Sequence, residues 1–237
     1  MGIALSRLLW EDGWGLSILR GSAVTVVVGV LGMGLGMMLG LLLAAVKWAR
    51  IPVASQLVDV YTVIVRSVPG LLVVYLIFFG SVEFVARVGT FFGYADEFQS
   101  AYSFIVGVVS VGAIAAAYAA EVFRGALDAI HPGQIEAARA VGMQTRKLYT
   151  RIIGPQMFRY ALPGVSNVWQ ATIKDTSLVS VTGLAELIRV AYIGAGTTRQ
   201  PLIFFVIAAV VFFVITLFSQ AAFGLVERNL NRGVRAV

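Results

Sequence analysis

The sequence contains no cysteine and only one histidine, His131, so it offers few residues for redox, metal or nucleophilic chemistry. Without cysteine the chain can form neither a disulfide nor a thiolate nucleophile. A lone imidazole is a poor basis for a metal site or a catalytic triad. His131 stands just before Pro132 in a charged stretch, where we expect an ordinary solvated loop residue. The sequence therefore predicts no catalytic residues and no metal site.

Charged residues are also scarce, at 13% of 237 residues against 59% hydrophobic, and the mean hydropathy is +0.89. A water-soluble domain cannot bury so large an apolar fraction, so we predict an all-α membrane protein. The net charge of +6 and the pI near 9.9 would favour a nucleic-acid partner in a soluble protein. Here the basic residues flank apolar runs, so membrane orientation explains them and no nucleic acid is expected.

Long uncharged runs predict five transmembrane helices in a single domain that covers residues 1–237. The first run carries Gly32, Gly36 and Gly40 at a spacing of four, which favours close packing against another helix. The second run is interrupted at Pro69, which should kink or break the helix. The predicted spans cover about 21–46, 53–82, 100–120, 160–182 and 201–226.

Five spans place the two termini on opposite sides of the membrane. Lysine and arginine concentrate around residues 47–50, in the loop 125–159 and after residue 226. The positive-inside rule assigns these segments to the cytoplasm, so the N-terminus is predicted outside and the C-terminus inside. We expect residues 1–19, with Trp10 and Trp14, to lie along the outer interface.

The loop 125–159 contains a short segment with helix signals at both ends. Pro132 and Gly133 open it, and Gly142 stands where a C-cap glycine belongs. A helix of two to three turns does not persist alone in water, so it should need a docking partner. Small side chains at 137, 138 and 140 would let that partner approach closely. The residues that we assign to coupling are Pro132, Gly133, Ile135, Glu136, Ala137, Ala138 and Gly142.

The spacing within this loop resembles the signature of ATP-binding-cassette (ABC) importer permeases. Glu136-Ala137-Ala138 is followed by Gly142, and Ile152 stands ten residues beyond that glycine, before Pro155. Gly154 departs from the leucine that is usual in the family. Other matching stretches are Arg66-Ser67-Val68-Pro69, Tyr118 to Gly125, Arg159 to Gly164, and Lys174-Asp175-Thr176-Ser177-Leu178. From about Leu16 to Arg232 the chain resembles permeases of the polar amino-acid uptake family, of the histidine, arginine or octopine type.

This resemblance implies a type I importer fold with five spans, in a multi-pass protein of the bacterial inner membrane. It implies pairing with a second permease subunit, for which a paralogue is favoured over another copy of this chain. It also implies a dimer of ATPase subunits and an extracytoplasmic binding protein that delivers a polar, in particular basic, amino acid. ATP and Mg²⁺ would sit on the ATPase, because this chain has no phosphate-binding loop; it is expected to bind no cofactor and to be no enzyme.

Ionisable residues inside the predicted spans are functional candidates, because charge is costly in lipid. Arg66 would bind the substrate carboxylate in bidentate geometry, and Asp175 would meet the α-amino group or a cationic side chain. The alternative is a structural network that joins these two residues with Lys174 and Asp59. The candidate substrate-binding residues are Arg66, Ser67, Gln170, Thr172, Asp175 and Ser177.

Three further expectations concern residues outside this set. Asn167, Gln170, Lys174 and Ser177 recur at helical spacing and are predicted to form one polar stripe. Glu121 and Arg124 form an i, i+3 pair that we take as structural support for the loop. Glu83 and the Asp96-Glu97 pair are expected on a solvated outer rim.

Other functions remain open at this point. A secondary transporter driven by an ion gradient would normally show internal repeats and more spans, and no repeat is visible between the two halves of the chain. An intramembrane enzyme would need a nucleophile and a base within the spans. Within the importer class, an opine or a neutral amino acid is an alternative ligand.

Overall fold

The computed structural model describes residues 7–11, 13–92 and 98–230, without the side chains of residues 7, 8, 84–86, 88–92 and 98–100. All regular structure in these ranges is helical, as predicted, and the expected rim pair Asp96-Glu97 lies outside them. The α-helices of the described ranges are α1 Trp14–Trp48, α2 Pro52–Ser67, α3 Gly70–Phe92, α4 Phe98–Asp128, α5 Pro132–Ala140, α6 Thr145–Leu148, α7 Gly154–Asp175, α8 Leu187–Thr198 and α9 Pro201–Leu230. Shorter segments are π-helical at Arg7–Glu11 and Tyr149–Ile153, and 3₁₀-helical at Thr176–Thr182.

Three helices, α1, α4 and α9, are each long and apolar enough to cross a membrane. Two bent pairs would raise the number of spans to five if each pair makes one span. The helices α2 and α3 meet at 111°, and the segment Thr145–Thr182 meets α8 at 53°. The expected five spans are therefore the upper end of what the described helices allow.

Several helices extend past the predicted spans. Helix α1 begins at Trp14 instead of residue 21, and α4 continues to Asp128 instead of ending at 120. The predicted loop 125–159 is largely helical, and α7 already starts at Gly154. We expected a loop between residues 182 and 201, where the structure forms α8. Hydropathy finds only the apolar part of a helix, whereas backbone hydrogen bonding continues into its charged ends.

The contact between α1 and α4 lies at the centre of the bundle and depends on glycine. A Cβ atom at Gly36 would lie 2.5 Å from the Cβ atom of Ala115, and one at Gly40 would lie 2.6 Å from that of Ala119. At Gly32 the nearest atom would be a Val111 methyl at 2.8 Å. The predicted close packing of this glycine stripe is confirmed, because no side chain fits between the two backbones.

The break between α2 and α3 is confirmed at Pro69. Val68 is extended (φ −91°, ψ 140°), as is usual before proline, and its N–H still bonds to the Ile64 carbonyl at 3.0 Å. Helix α2 is held loosely, since only Val58 and Thr62 of its 16 residues are buried. Its position therefore depends on a small number of contacts.

A buried carboxylate, which the sequence reading did not single out, fixes the start of α8. Glu186 is 0% exposed and accepts hydrogen bonds from the N–H groups of Ile188 (3.0 Å) and Arg189 (2.7 Å). Thr25 of α1 donates to the same carboxylate at 3.4 Å and accepts from the N–H of Leu187 at 3.2 Å. An acidic residue directly before an apolar run is an N-cap signal that could have predicted this helix.

We expect Gly36→Ala to destabilise the protein by about 1–3 kcal/mol, because the added methyl overpacks the α1–α4 contact. Gly34→Ala is the matched control on the same helix, since a Cβ atom there meets nothing within 4 Å. Thermal unfolding of the purified variants in detergent measures the difference in their stability. Equal melting temperatures for the two variants would contradict the role of this contact.

Candidate functional site

An open cleft of about 470 Å³ lies between α2, α4 and α7. This volume falls within the range of small-molecule sites. The helices around it are largely apolar, so its polar groups stand out as candidate ligand contacts. The residues that line it are Arg66, Tyr118, Glu121, Val122, Gly164, Asn167, Val168 and Ala171.

Arg66 is the cation of this cleft. Its guanidinium carbon lies 5.6 Å from the centre of the Tyr118 ring, a cation–π contact. Within the described part of the chain, the Arg66 side chain makes no hydrogen bond and no ion pair. Its donors can therefore bind a carboxylate in the paired geometry that guanidinium favours.

Asp175 lies on the same side of α7 as the cleft. Asn167 and Ala171 line the cleft, and Asp175 follows Ala171 by four residues, which places it on that helix face about 6 Å farther along the axis. Among the described residues its carboxylate has no hydrogen bond and no ion pair. The structure thus places Asp175 on the face of α7 that borders the cleft, beyond the residues that line it.

The other candidate ligand contacts lie elsewhere. Thr172 is buried, donates to the Val168 carbonyl at 2.8 Å and faces the Met33 sulfur of α1 at 3.8 Å. Gln170 accepts a hydrogen bond from Gln220 of α9 at 3.3 Å. Neither residue lines the cleft, and each instead fixes α7 against a neighbouring helix.

The predicted polar stripe on α7 faces two different neighbours. Asn167 lines the first cleft, whereas Lys174 and Ser177 line a second one of about 410 Å³ against α8 and α9. Ser67 is exposed at the end of α2 and lines neither cleft. The residues of the stripe contact several helices, and only tertiary packing decides which cleft each of them lines.

The alternative, a structural network that joins Arg66, Asp175, Lys174 and Asp59, does not form among the described residues. Asp59 pairs with Lys47 at 2.7 Å instead of with Arg66. Lys47 also donates to Glu121 at 2.8 Å, and Arg124 bonds to the other oxygen of Glu121 at 2.9 Å. The expected Glu121–Arg124 pair is confirmed, but it belongs to a chain of ion pairs across α1, α2 and α4. Lys47, which enters the sequence analysis only through the positive-inside rule, is the centre of this chain of ion pairs.

Helix α5 has the length and the ends that the sequence predicted. Gly142 adopts φ +74°, its N–H bonds to the Arg139 carbonyl at 2.9 Å, and the Met143 N–H bonds to the Ala138 carbonyl at 3.0 Å. These two hydrogen bonds form a Schellman motif. His131, expected to be a plain loop residue, caps the other end, because its Nδ1 accepts from the N–H of Gly133 at 3.2 Å.

The small residues of α5 do not all face outward. Ala138 is 5% exposed and packs in an apolar cluster with Phe123, Leu148 and Met157, and Ile135 packs against the same cluster. The outward surface of α5 is formed by Glu136, Ala137 and Ala140, and the following Val141 is 79% exposed. One face of the helix therefore docks on the bundle and the other is free for a partner.

Gly154, the departure from the family signature, follows the π-helical turn Tyr149–Ile153. A Cβ atom at Gly154 would lie 2.8 Å from the Tyr149 carbonyl oxygen. Glycine at this position is therefore required by the local backbone, which carries the chain from α6 into α7.

The family model described as "Binding-protein-dependent transport system inner membrane component" matches residues 32–232. The octopine transport system permease protein OccQ of Rhizobium meliloti is 43% identical over 94% of this chain and 94% of that protein. The nopaline permease NocQ of Agrobacterium fabrum is 44% identical over 98% and 99%. The histidine/lysine/arginine/ornithine permease HisQ of Salmonella typhimurium is 34% identical over 92% and 95%.

Solved structures agree with these relatives. A chain in the crystal structure of an amino acid ABC transporter with histidines superimposes with a TM-score of 0.78 at 28% identity, covering 94% of this chain and 98% of that chain. A chain of the inward-facing MetNI methionine ABC transporter gives 0.66 at 18% identity, over 91% and 95%, which supports the fold alone. The fold is that of a type I ABC importer transmembrane domain, and the chain belongs to the inner membrane components of binding-protein-dependent transport systems, the permease subunits of ABC importers.

Proposed function

We propose that this permease subunit transports a polar amino acid or an opine, and that the cleft between α2, α4 and α7 binds its amino-acid part. The observation that carries this proposal is the Arg66 guanidinium, which lines a cleft between apolar helices and has no ion-pair partner among the described residues. Arg66 binds the carboxylate of the ligand, and Asp175 receives the α-ammonium or a cationic side chain. Relatives named for basic amino acids and for opines support this ligand class, and the higher identity to the octopine and nopaline permeases favours an opine over a neutral amino acid.

Three of the remaining candidates, Thr172, Gln170 and Ser177, act on the ligand through the position of α7. Thr172 anchors that helix on α1, and Gln170 anchors it on α9. Ser177 donates to the Lys174 carbonyl at 2.6 Å and stabilises the passage from α7 into the 3₁₀ segment. Ser67 is the last residue of α2, next to Arg66, and does not line the cleft, so it has no proposed contact with the ligand.

The topology that we propose has five spans, with α2–α3 and α7–α8 as two broken ones, an outside N-terminus and a cytoplasmic C-terminus. Residues 1–237 form one domain, and α5 faces the cytoplasm. The assembly contains a second permease subunit, with a paralogue favoured, an ATPase dimer and an extracytoplasmic binding protein. ATP and Mg²⁺ are bound by the ATPase, and this chain binds no cofactor.

Coupling to the ATPase runs through α5. Its outward residues Glu136, Ala137 and Ala140 contact the ATPase, together with the exposed Val141. On its inward side Ala138 contacts the apolar cluster, and the amide of Gln156 on α7 donates to that of Gln134 at 2.7 Å. A movement of α5 is therefore transmitted to α7, which forms one wall of the cleft. Two ATPase states with different affinities for α5 then shift the permease between outward and inward access.

Arg66→Gln should weaken ligand binding about tenfold or more, since a lost hydrogen bond to a charged group costs about 1.5–3 kcal/mol. Asp175→Asn should act in the same direction on ligands that carry a cationic group. Affinity for arginine, octopine and nopaline is measured by calorimetry on the purified complex without binding protein. Lys174→Gln, at the other cleft of α7, is the matched control and should change affinity less than twofold. Unchanged affinity in Arg66→Gln would refute the assignment of the cleft.

Ala137→Leu and Ala138→Leu should separate docking from folding, because the Ala137 side chain is exposed whereas the Ala138 side chain is buried. Ala137→Leu should keep the melting temperature of the subunit but reduce co-purification of the ATPase. Ala138→Leu overpacks the apolar cluster and should destabilise the subunit by about 1–3 kcal/mol. Normal ATPase co-purification and normal transport in Ala137→Leu would contradict the docking role of the outward surface.

A further inference from the structure

Lys47 joins three helices at the end of the bundle next to α5, which we call the loop end. It lies in the last turn of α1, and its ammonium contacts Asp59 of α2 at 2.7 Å and Glu121 of α4 at 2.8 Å. The Lys47 side chain is 14% exposed and packs between the helices, whereas its partner Asp59 is 56% exposed, so the Lys47–Asp59 pair is partly open to water. Each of the two ion pairs of Lys47 fixes the position of one helix relative to α1.

Helix α2 depends on this contact more than α4 does. The glycine stripe packs α4 against α1 along its length, whereas α2 buries only Val58 and Thr62. The other side-chain hydrogen bonds that hold α2 within the described ranges run from Tyr61 to the Ala113 carbonyl (2.6 Å) and from Ser55 to the Val46 carbonyl (3.3 Å). The far end of α2 is the break at Pro69. The helix thus has a hinge at one end and an ion pair at its middle, through Asp59.

Helix α2 forms one wall of the cleft, because it carries Arg66 two turns beyond Asp59. Glu121, the other partner of Lys47, lines the opposite wall near the loop end. The ion pairs of Lys47 therefore bridge the two walls of the cleft below the point where Arg66 and Tyr118 meet. A separation of Lys47 from Asp59 would let α2 swing about its hinge and widen the cleft toward α5.

We propose that Lys47 is a positioning residue that holds α2 against α4 and keeps the loop end of the cleft closed. A cationic group of a ligand that enters the cleft competes with Lys47 for the Glu121 carboxylate. Release of Lys47 from Glu121 breaks the Asp59–Lys47–Glu121 bridge between α2 and α4, so α2 stays tied only to α1 and the path toward the face that carries α5 opens. The proposal requires only the family assignment and the contacts above, not the assignment of Arg66 and Asp175 to particular ligand groups.

The test uses the absence of cysteine from the chain, which lets one introduced thiol report on the cleft. Ala171→Cys places that thiol in the cleft wall, and all variants are compared in this background within the complete transporter. Inside-out membrane vesicles are treated with a membrane-impermeant maleimide, and alkylation of this subunit is followed with time. Asp59→Asn should speed alkylation by about two- to fivefold, the size expected from one partly exposed ion pair. It should also raise ATP hydrolysis in the absence of binding protein.

The matched control is Asp128→Asn, which removes an ion pair to Arg124 at 2.8 Å that lies entirely within α4. Its alkylation rate should equal that of the transporter that carries Ala171→Cys alone. Lys47→Arg, which can keep both ion pairs, should be alkylated at nearly the same rate. Tyr61→Phe loosens α2 without a change of charge and should speed alkylation like Asp59→Asn. If the transporter with Asp59→Asn does not assemble, the alkylation rate of Tyr61→Phe decides the test. The proposal is overturned if the variants that loosen α2 are alkylated no faster than Asp128→Asn.

Discussion

The backbone contact between α1 and α4 is the constraint on which the other parts of the fold depend. Glycine at 36 and 40 brings the two helices so close that α1 becomes a rigid reference for its neighbours. At one end of this contact, Thr25 of α1 holds the buried Glu186 and so positions α8. At the other end Lys47 holds α2 and Glu121. The apolar contact supplies the rigidity, and single polar groups at its ends decide where the less firmly packed helices lie.

Firmly and loosely attached elements are separated in this fold in a way that suits a transport cycle. Close packing of α1 with α4 leaves no room for a graded change, because interfaces of this density move as units. Helix α2 and the short α5 each contribute few buried side chains and can change position at a small cost. These are also the elements that form a cleft wall and the exposed surface of the loop. The loosely packed elements are thus those at the proposed ligand cleft and the proposed ATPase surface.

Helix α7 connects these two regions. Its first turns contact the cluster around Ala138, and its middle turns line the cleft through Asn167 and Ala171. Its opposite face is held by Gln220 of α9 and its buried face by Met33 of α1. Under the proposed coupling, a displacement that begins at α5 reaches the cleft through one continuous helix instead of through a long chain of side-chain contacts.

Periodicity and residue type alone determined the membrane class, the glycine contact of α1, the break at Pro69 and the extent of α5, because each is a local or single-helix property. The family resemblance likewise rested on motifs that are contiguous in sequence. The partners of the charged residues could not be obtained in this way. Asp59 is seven residues from Arg66 on one helix face, yet it pairs with Lys47, since helix packing brings a lysine from another helix nearer. Ala138 resembles Ala137 in sequence, and only the docking of α5 decides which of them is buried. Long-range pairing depends on where whole helices lie, and that is set by tertiary packing.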